Sequence, residues 1–148
     1  MLFLRILGMA QKDSRKMVVA PAALTLTAPK GKPPTESIDE IRDSGLLTQL
    51  KHGTIVYPDG CQSWKTVARK NRKQRLVVKS VVHMRSEWTR KVRVRGRKKV
   101  AGTQQIDRSW KHLTKFCPSQ MKNRTGPTIN ARFWDRIYQW IYRHNMSK

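Results

Sequence analysis

Thr54-Ile55-Val56-Tyr57-Pro58-Asp59-Gly60 is the stretch of sequence that decides the fold. Its β-branched and aromatic residues predict a short strand, and the Pro-Asp-Gly after them predicts a turn where that strand ends. Asp59 is therefore expected at the end of a strand. A carboxylate in that position is placed where a metal ligand could sit.

A second acidic residue lies in the stretch Gly102-Thr103-Gln104-Gln105-Ile106-Asp107-Arg108-Ser109-Trp110-Lys111. Ile106, Trp110 and Leu113 recur at helical spacing, which predicts a helix with one apolar stripe facing a core. Asp107 lies beside that stripe at the start of the helix. Carboxylates from a strand end and a helix start can together hold Mg²⁺ or Mn²⁺ for phosphoryl transfer. Asp59 and Asp107 are thus the candidate catalytic and metal-binding residues, with carboxylates expected within about 8 Å of each other.

These stretches, together with others between and after them, resemble the nuclease domain of DDE transposases of the Merlin group and related bacterial insertion sequences. In that family an Asp-Gly pair ends a strand and a His-bearing apolar segment follows. An Ile-acid-x-x-Trp helix then precedes a terminal helix rich in Trp and Phe. Order and spacing agree from about Gly45 to Asn145. The matching residues are Asp59-Gly60 with Trp64, Val81-Val82-His83 with Glu87-Trp88, Gln104 to Trp110, and Phe133 to Tyr142.

The resemblance implies a ribonuclease-H-like mixed sheet with flanking helices. It also implies metal-dependent DNA strand cleavage and transfer, the chemistry of DNA transposition and recombination. DNA would be the partner and Mg²⁺ or Mn²⁺ the cofactor, with Asp59 bridging two ions and Asp107 completing the shell of one. His83 becomes an auxiliary candidate near the metal or a phosphate, against the alternative of a strand-end histidine bonded to a loop.

Two departures from the family pattern bear on activity. The family's third acid is usually Glu, whereas the side chain of Asp107 is one methylene shorter. The family's first catalytic Asp lies on the first strand of the sheet, and the sequence shows no matching strand, which would fall before Met1. The fold is therefore expected to be incomplete at its N-terminus, and the chain is expected to bind DNA without cleaving it by itself.

The charge of the chain favours a polyanionic partner independently of any family. Lysine and arginine number 32 against 9 acids, which gives a net charge of +23 and a pI near 11.2. A globular chain with that imbalance repels itself unless an anion neutralises it, and nucleic acid is the commonest such anion. The alternative is that charge runs form solvated faces or disordered arms. The predicted nucleic-acid contacts lie in two basic blocks between the candidate acids: Lys65, Arg69, Lys70, Arg72, Lys73 and Arg75, then Arg90, Lys91, Arg93, Arg95, Arg97, Lys98 and Lys99.

The pattern of apolar residues predicts an α/β fold with a mixed sheet, in a single domain spanning 1–148. Residues 1–28 are expected to form sheet strands, 29–36 a linker, and 37–148 the core with the two acids and the C-terminal helices. Strands are predicted at Phe3 to Met9, Met17 to Leu26, Thr54 to Tyr57 and Leu76 to His83. Helices are predicted at Ser37 to Lys51, Ser63 to Lys70, Gln105 to Phe116 and Ile129 to His144.

Several classes of protein are disfavoured by the sequence. No stretch approaches the roughly 18 apolar residues that span a bilayer, and Arg5 interrupts the apolar start that a signal peptide would need. We therefore expect no membrane partner and no secretion, with a nuclear location if the source is eukaryotic and a cytoplasmic one otherwise. Cys61 and Cys117 belong to no Cys-x-x-Cys pair, so both are expected to be reduced and neither to bind zinc.

Two other interpretations stay open at the level of sequence. One is a non-enzymatic basic nucleic-acid-binding protein, associated with ribosomes or chromatin, in which the basic blocks matter and the acids do not. The other is a translated relic with an incomplete fold and no function. A homo-oligomer is compatible with the transposase-like interpretation and with the binding protein.

Overall fold

The computed structural model describes residues 2–14, 16–26, 34–82, 88–117 and 127–146. Within these ranges the chain forms six strands, four α-helices and one short 3₁₀ helix. In chain order they are β1 (Leu2–Ala10), β2 (Met17–Leu26), α1 (Ile38–Asp43), the 3₁₀ helix (Leu46–Gln49), β3 (Ile55–Val56), α2 (Gln62–Lys70), β4 (Val77–Val78), β5 (Thr89–Val94), β6 (Arg97–Gly102), α3 (Gln104–Phe116) and α4 (Pro127–Met146).

The described strands pair into three two-stranded sheets. Strands β1 and β2 are antiparallel, β3 and β4 are parallel, and β5 and β6 are antiparallel. Helix α1 and the 3₁₀ helix follow the first pair, α2 connects β3 to β4, and α3 and α4 follow the last pair, so the protein is mixed α/β, as the sequence predicts. The strands differ from the prediction in forming short separate sheets within the described ranges and not one continuous mixed sheet.

Helix α1 begins as the sequence predicts but ends early. Ser37 and Glu40 form a capping box, in which each side chain accepts a hydrogen bond from the other residue's backbone N–H at 3.0 and 2.8 Å. Gly45 adopts a left-handed φ of 66°, which is typical of a helix end. The predicted helix from Ser37 to Lys51 is therefore wrong beyond Asp43, where a turn and the 3₁₀ helix replace it.

The hairpin of β5 and β6 was not predicted from the sequence. Val92 and Val94 are buried while Lys91 and Arg93 are exposed, which is the period of two that a strand requires. The two-residue turn Arg95-Gly96 has φ values of 48° and 77°, as a type I′ turn needs. Lysines and arginines outnumber the valines in this stretch, so the alternation of buried and exposed residues is difficult to recognise in the sequence.

Other predicted elements lie partly outside the described residues. Strand β4 covers Val77–Val78, whereas the prediction ran from Leu76 to His83, and residues 83–87 are outside the described ranges. Residues 27–33, which include most of the predicted linker 29–36, and residues 118–126 before α4 are outside the described ranges as well. His83 and Glu87 therefore have no described position.

Strand β1 is covered by helices on both of its faces. Leu7 packs in one cluster with Ile41 of α1 and with residues of α2. Gly8 points the other way, where a Cβ would lie 2.7 Å from the ring of Trp110 on α3. That side belongs to a second cluster, which joins Met17 of β2 to α3 and α4. The β1–β2 pair is thus the middle layer between two helical layers.

The basic hairpin of β5 and β6 packs beside the β3–β4 pair. Val92 and Val94 form a third cluster with Val81, and Tyr57 packs against it. A two-stranded hairpin alone is marginally stable in water, so this contact fixes its position. The hairpin and the β3–β4 pair therefore form one unit.

The first residue of β2 is held by the last helix. The side-chain amide of Asn145 accepts a hydrogen bond from the Met17 backbone N–H at 2.8 Å and donates one to the Met17 carbonyl at 2.9 Å. The amide thus copies the pairing that a neighbouring strand would provide. It connects residues 128 positions apart.

Candidate functional site

One open cleft of about 1420 Å³ lies between β1 and β3 and reaches the start of α3. Both candidate acids, Asp59 and Asp107, line it. The structure therefore brings the strand-end acid and the helix-start acid to the same cleft. Typical small-molecule pockets hold about 300 to 1,000 Å³, so this cleft suits a larger ligand.

Asp59 is exposed and lies directly after the buried Pro58. Its carboxylate accepts a hydrogen bond from the Cys61 backbone N–H at 3.2 Å, an Asx-type turn that leads the chain into α2. Gly60 has a φ of 98°, and a Cβ there would lie 3.0 Å from the carbonyl oxygen of Val81. The Asp-Gly pair is therefore needed locally, because the chain after β4 packs against the turn.

Asp107 is also exposed, in the first turn of α3. Its carboxylate accepts a hydrogen bond from the buried hydroxyl of Thr103 at 3.0 Å. The positive end of the helix dipole further favours a negative charge in this turn. The carboxylate is thus held at the helix start.

Within the described residues, the acids that line the cleft form an incomplete ligand set for two metal ions. Asp13 and Glu36 also line the cleft, and Glu36 lies 3.7 Å from the Cys61 thiol. Among the described residues, however, no group of three or more His, Cys, Asp and Glu side chains could hold a metal ion. The auxiliary candidate His83 lies outside those residues. Asp59 and Asp107 alone are too few ligands for a two-ion centre, and the hydrogen bonds described for them are local, from the Cys61 backbone N–H and from the Thr103 hydroxyl.

The second predicted basic block forms a ribbon of cations. Arg93 lies directly opposite Lys98 on the hairpin, and both are exposed. Like charges in that arrangement destabilise a strand pair. The sequence from Trp88 to Ile106 contains no acid that could offset them. An anion from outside the hairpin would relieve the repulsion.

The predicted cations differ in their relation to the cleft. Lys99 of the hairpin lines it, whereas Arg69 and Lys70 are exposed on α2 outside its lining. Arg95 at the hairpin tip folds back, with its guanidinium 2.5 Å from where a Cβ on Gly53 would lie. The remaining predicted cations Lys65, Arg72, Lys73, Arg75, Arg90, Lys91 and Arg97 are also outside the lining.

Three lysines in the cleft were missed by sequence reasoning. Lys12, Lys16 and Lys51 line it, and none belongs to a basic block. Lys12 donates a hydrogen bond to the Val100 carbonyl at 2.6 Å, and its Nζ lies 5.6 Å from the centre of the Tyr57 ring. It therefore ties the turn after β1 to the hairpin and to the strand that leads to Asp59. In the sequence, Lys12 and Lys16 lie between the first two predicted strands and Lys51 ends the predicted helix from Ser37, so no run of charge marks them.

The phenol of Tyr57 is the cleft group whose acidity changes most clearly. Partial burial raises its pKa above the usual 10.0, and the nearby charge of Asp13 adds to the effect. Tyr57 therefore stays protonated to a higher pH than an exposed tyrosine.

Comparison with family models, curated proteins and solved structures finds no match for this chain. Among the helices of the described ranges, none is long and apolar enough to cross a membrane.

Proposed function

We propose that this chain is a DNA-binding, transposase-like protein, the remnant of an enzyme for metal-dependent DNA strand cleavage and transfer with a ribonuclease-H-like fold. The observation that carries the proposal is the shared cleft, which is lined by Asp59, Asp107 and Lys99 of the basic hairpin. The mixed α/β order of elements and the resemblance of the acid-bearing stretches support the same conclusion.

The hairpin supports DNA as the ligand on electrostatic grounds. Arg93 and Lys98 face each other without an acid in the surrounding sequence, so the folded hairpin carries a repulsion that a phosphate backbone would remove. Such contacts neutralise phosphates without reading bases, so we expect weak sequence preference and a steep dependence on salt.

We expect this protein to bind DNA without cleaving it. Two-ion phosphoryl transfer needs ligands that position both metals, and the described carboxylates of the cleft supply an incomplete set. We expect the purified chain to retard duplex DNA in a gel without nicking a plasmid in Mg²⁺ or Mn²⁺. Nicking that needs metal and disappears in both Asp59→Asn and Asp107→Asn would show that the chain is an active nuclease.

A second candidate function is a non-enzymatic nucleic-acid-binding protein, which the incomplete ligand set also favours. A remnant metal site should still bind Mn²⁺ weakly through Asp59 and Asp107. We expect Mn²⁺ to raise the melting temperature of the wild type and not that of the double variant Asp59→Asn with Asp107→Asn. An equal response of both proteins would favour the non-enzymatic alternative.

A further inference from the structure

The exposed side of α4 carries a stripe of large side chains. Four of them recur every fourth residue along one side of the helix: Trp134, Tyr138, Tyr142 and Met146. Tyr138, Tyr142 and Met146 are 53%, 66% and 65% exposed, whereas Trp134 is half-buried. Ile137 is fully buried in the second cluster, so another side of the same helix packs on the protein. The stripe therefore faces solvent while the helix that carries it is held in place.

The stripe is continuous with the cleft at one end. Met146 is one of the residues that line the cleft. The neighbouring Asn145 fixes this end of α4 through its two hydrogen bonds to the Met17 backbone. A chain-like ligand that left the cleft past Met146 would therefore meet Tyr142 first and Tyr138 next.

The spacing of the rings suits single bases and not a base stack. The ring centroids of Trp134 and Tyr138 lie 5.9 Å apart, with 38° between the ring planes. Four residues of a helix rise about 6 Å, so Tyr142 continues the series one step further along the axis. Bases along one strand of a duplex are only about 3.4 Å apart. Each ring can therefore take one base of a strand whose bases are not stacked on each other.

The charge beside the stripe favours an anionic ligand. Arg132, Arg136 and Arg143 are exposed, and their positions at i, i+4 and i+11 place them together on the next side of α4. They outnumber Asp135, the one acid in the sequence of this helix. The net charge of +23 opposes the docking of a second copy of the chain on this surface. Aromatic side chains beside cations are the combination that binds single-stranded nucleic acid.

We propose that Trp134, Tyr138 and Tyr142 form a stacking platform for an unpaired strand of nucleic acid, with the phosphates of that strand toward the arginines of α4. The base faces of a duplex are covered by neighbouring bases, so the platform selects unpaired strands. Every base has a face that can stack, so the platform has little sequence preference. The inference rests on the proposed function for the attraction of phosphate, but the three rings lie outside the lining of the cleft.

The test compares two double variants that keep the charge of the protein. Tyr138→Leu with Tyr142→Leu removes both rings and keeps apolar side chains that favour a helix. Tyr138→Phe with Tyr142→Phe is the matched control, because it keeps both rings. The probes are fluorescent strands of about twelve nucleotides: oligo-dT, oligo-rU, and an abasic DNA strand with the same number of phosphates. Fluorescence anisotropy at several salt concentrations gives the affinity of each pair.

We expect the leucine variant to bind oligo-dT at least about tenfold more weakly than the wild type, and the phenylalanine variant to differ less than about twofold. The slope of log K against log salt should stay the same in both variants, because no charge changes. The abasic strand should bind the wild type at least about tenfold more weakly than oligo-dT does. The tighter of oligo-dT and oligo-rU identifies whether the unpaired strand is DNA or RNA.

Three results would overturn the inference. The first is equal affinity of the leucine and phenylalanine variants for both oligo-dT and oligo-rU. The second is equal affinity of the wild type for the abasic strand and oligo-dT, since phosphates alone would then account for binding. The third is a wild-type dimer in sedimentation that Tyr138→Glu with Tyr142→Glu converts to monomer, which would assign the stripe to a second copy.

Duplex DNA separates this inference from the proposed function. Retardation of a duplex by the wild type and by both variants, together with any of these three results, would refute the platform and leave duplex binding intact. If the wild type binds neither duplex nor single strands, the platform and the proposed function both fail. Equal urea midpoints of the leucine and phenylalanine variants establish that both are folded.

Discussion

Replacing Arg93 and Lys98 together with threonine tests the hairpin as the DNA-binding element. The two residues are cross-strand neighbours on the exposed face of the ribbon, so the double change removes two positive charges from one point. A Thr–Thr pair is favourable at such a position, and the buried valines on the other face are unaffected. The hairpin should therefore keep its structure.

The expected effect follows from counterion release. Each phosphate contact contributes about 0.9 to the slope of log K against log salt, so losing two contacts should reduce the slope by about 1.8. Between about 50 and 200 mM salt, a slope smaller by about 1.8 corresponds to a roughly twelvefold smaller loss of affinity. Removing the like-charge pair should also stabilise the fold by about 0.2 to 1 kcal/mol, which raises the melting temperature by about 1 to 3 °C.

Fluorescence anisotropy with a short labelled duplex, repeated over a series of KCl concentrations, measures the slope. The matched control is Lys111→Gln with Lys115→Gln, which removes the same charge from exposed positions of α3. If the control lowers the slope as much as the hairpin variant does, DNA affinity depends on the net charge of the protein and not on the hairpin. If neither variant changes the slope, these cations do not contact phosphate, and the reasoning is refuted.

Three further predictions concern single residues of the cleft. Because the pKa of Tyr57 in the folded protein is raised above 10.0, the unfolded chain binds fewer protons than the folded protein between pH 10.0 and that pKa. The free energy of unfolding should therefore fall as pH rises through this window. Tyr57→Phe should show a smaller loss of stability when melting temperatures are compared below and above pH 10.0. Gly8→Ala should lower the free energy of unfolding by about 1 to 3 kcal/mol because its Cβ would collide with Trp110, and an unchanged urea midpoint would mean that the indole moves freely. Asp107→Asn should destabilise the protein by about 0.3 to 1 kcal/mol through the helix dipole, an effect that high salt should abolish; a loss that persists in salt would point to the Thr103 hydrogen bond instead.

The features that were predictable from the sequence are those encoded by neighbouring residues. The turn at Asp59 follows from Pro58 and Gly60, and the start of α3 follows from the spacing of Ile106 and Trp110. These patterns also place Asp59 and Asp107 on the correct kinds of element. The structure places both side chains in the lining of one cleft, and their expected separation and metal-binding role stay predictions.

The features that were missed depend on contacts between distant residues. Val92 and Val94 are buried because they meet Val81, and local composition alone gives a run of charge. Lys12 enters the cleft through its bond to the hairpin, 88 residues away. The predicted helix ran past the end of α1 because the spacing of apolar residues carries no information on the left-handed backbone conformation of Gly45.

The bond between Asn145 and Met17 has a consequence for how the protein is synthesised. Strands β1 and β2 are synthesised well before α3 and α4, yet the second cluster that covers Met17 needs both of these helices. Contacts of such long sequence separation form late, because the intervening chain must be closed first. The apolar face of the nascent β1–β2 hairpin therefore stays exposed until α3 and α4 have been synthesised, and the high positive charge of the chain opposes its self-association during that interval.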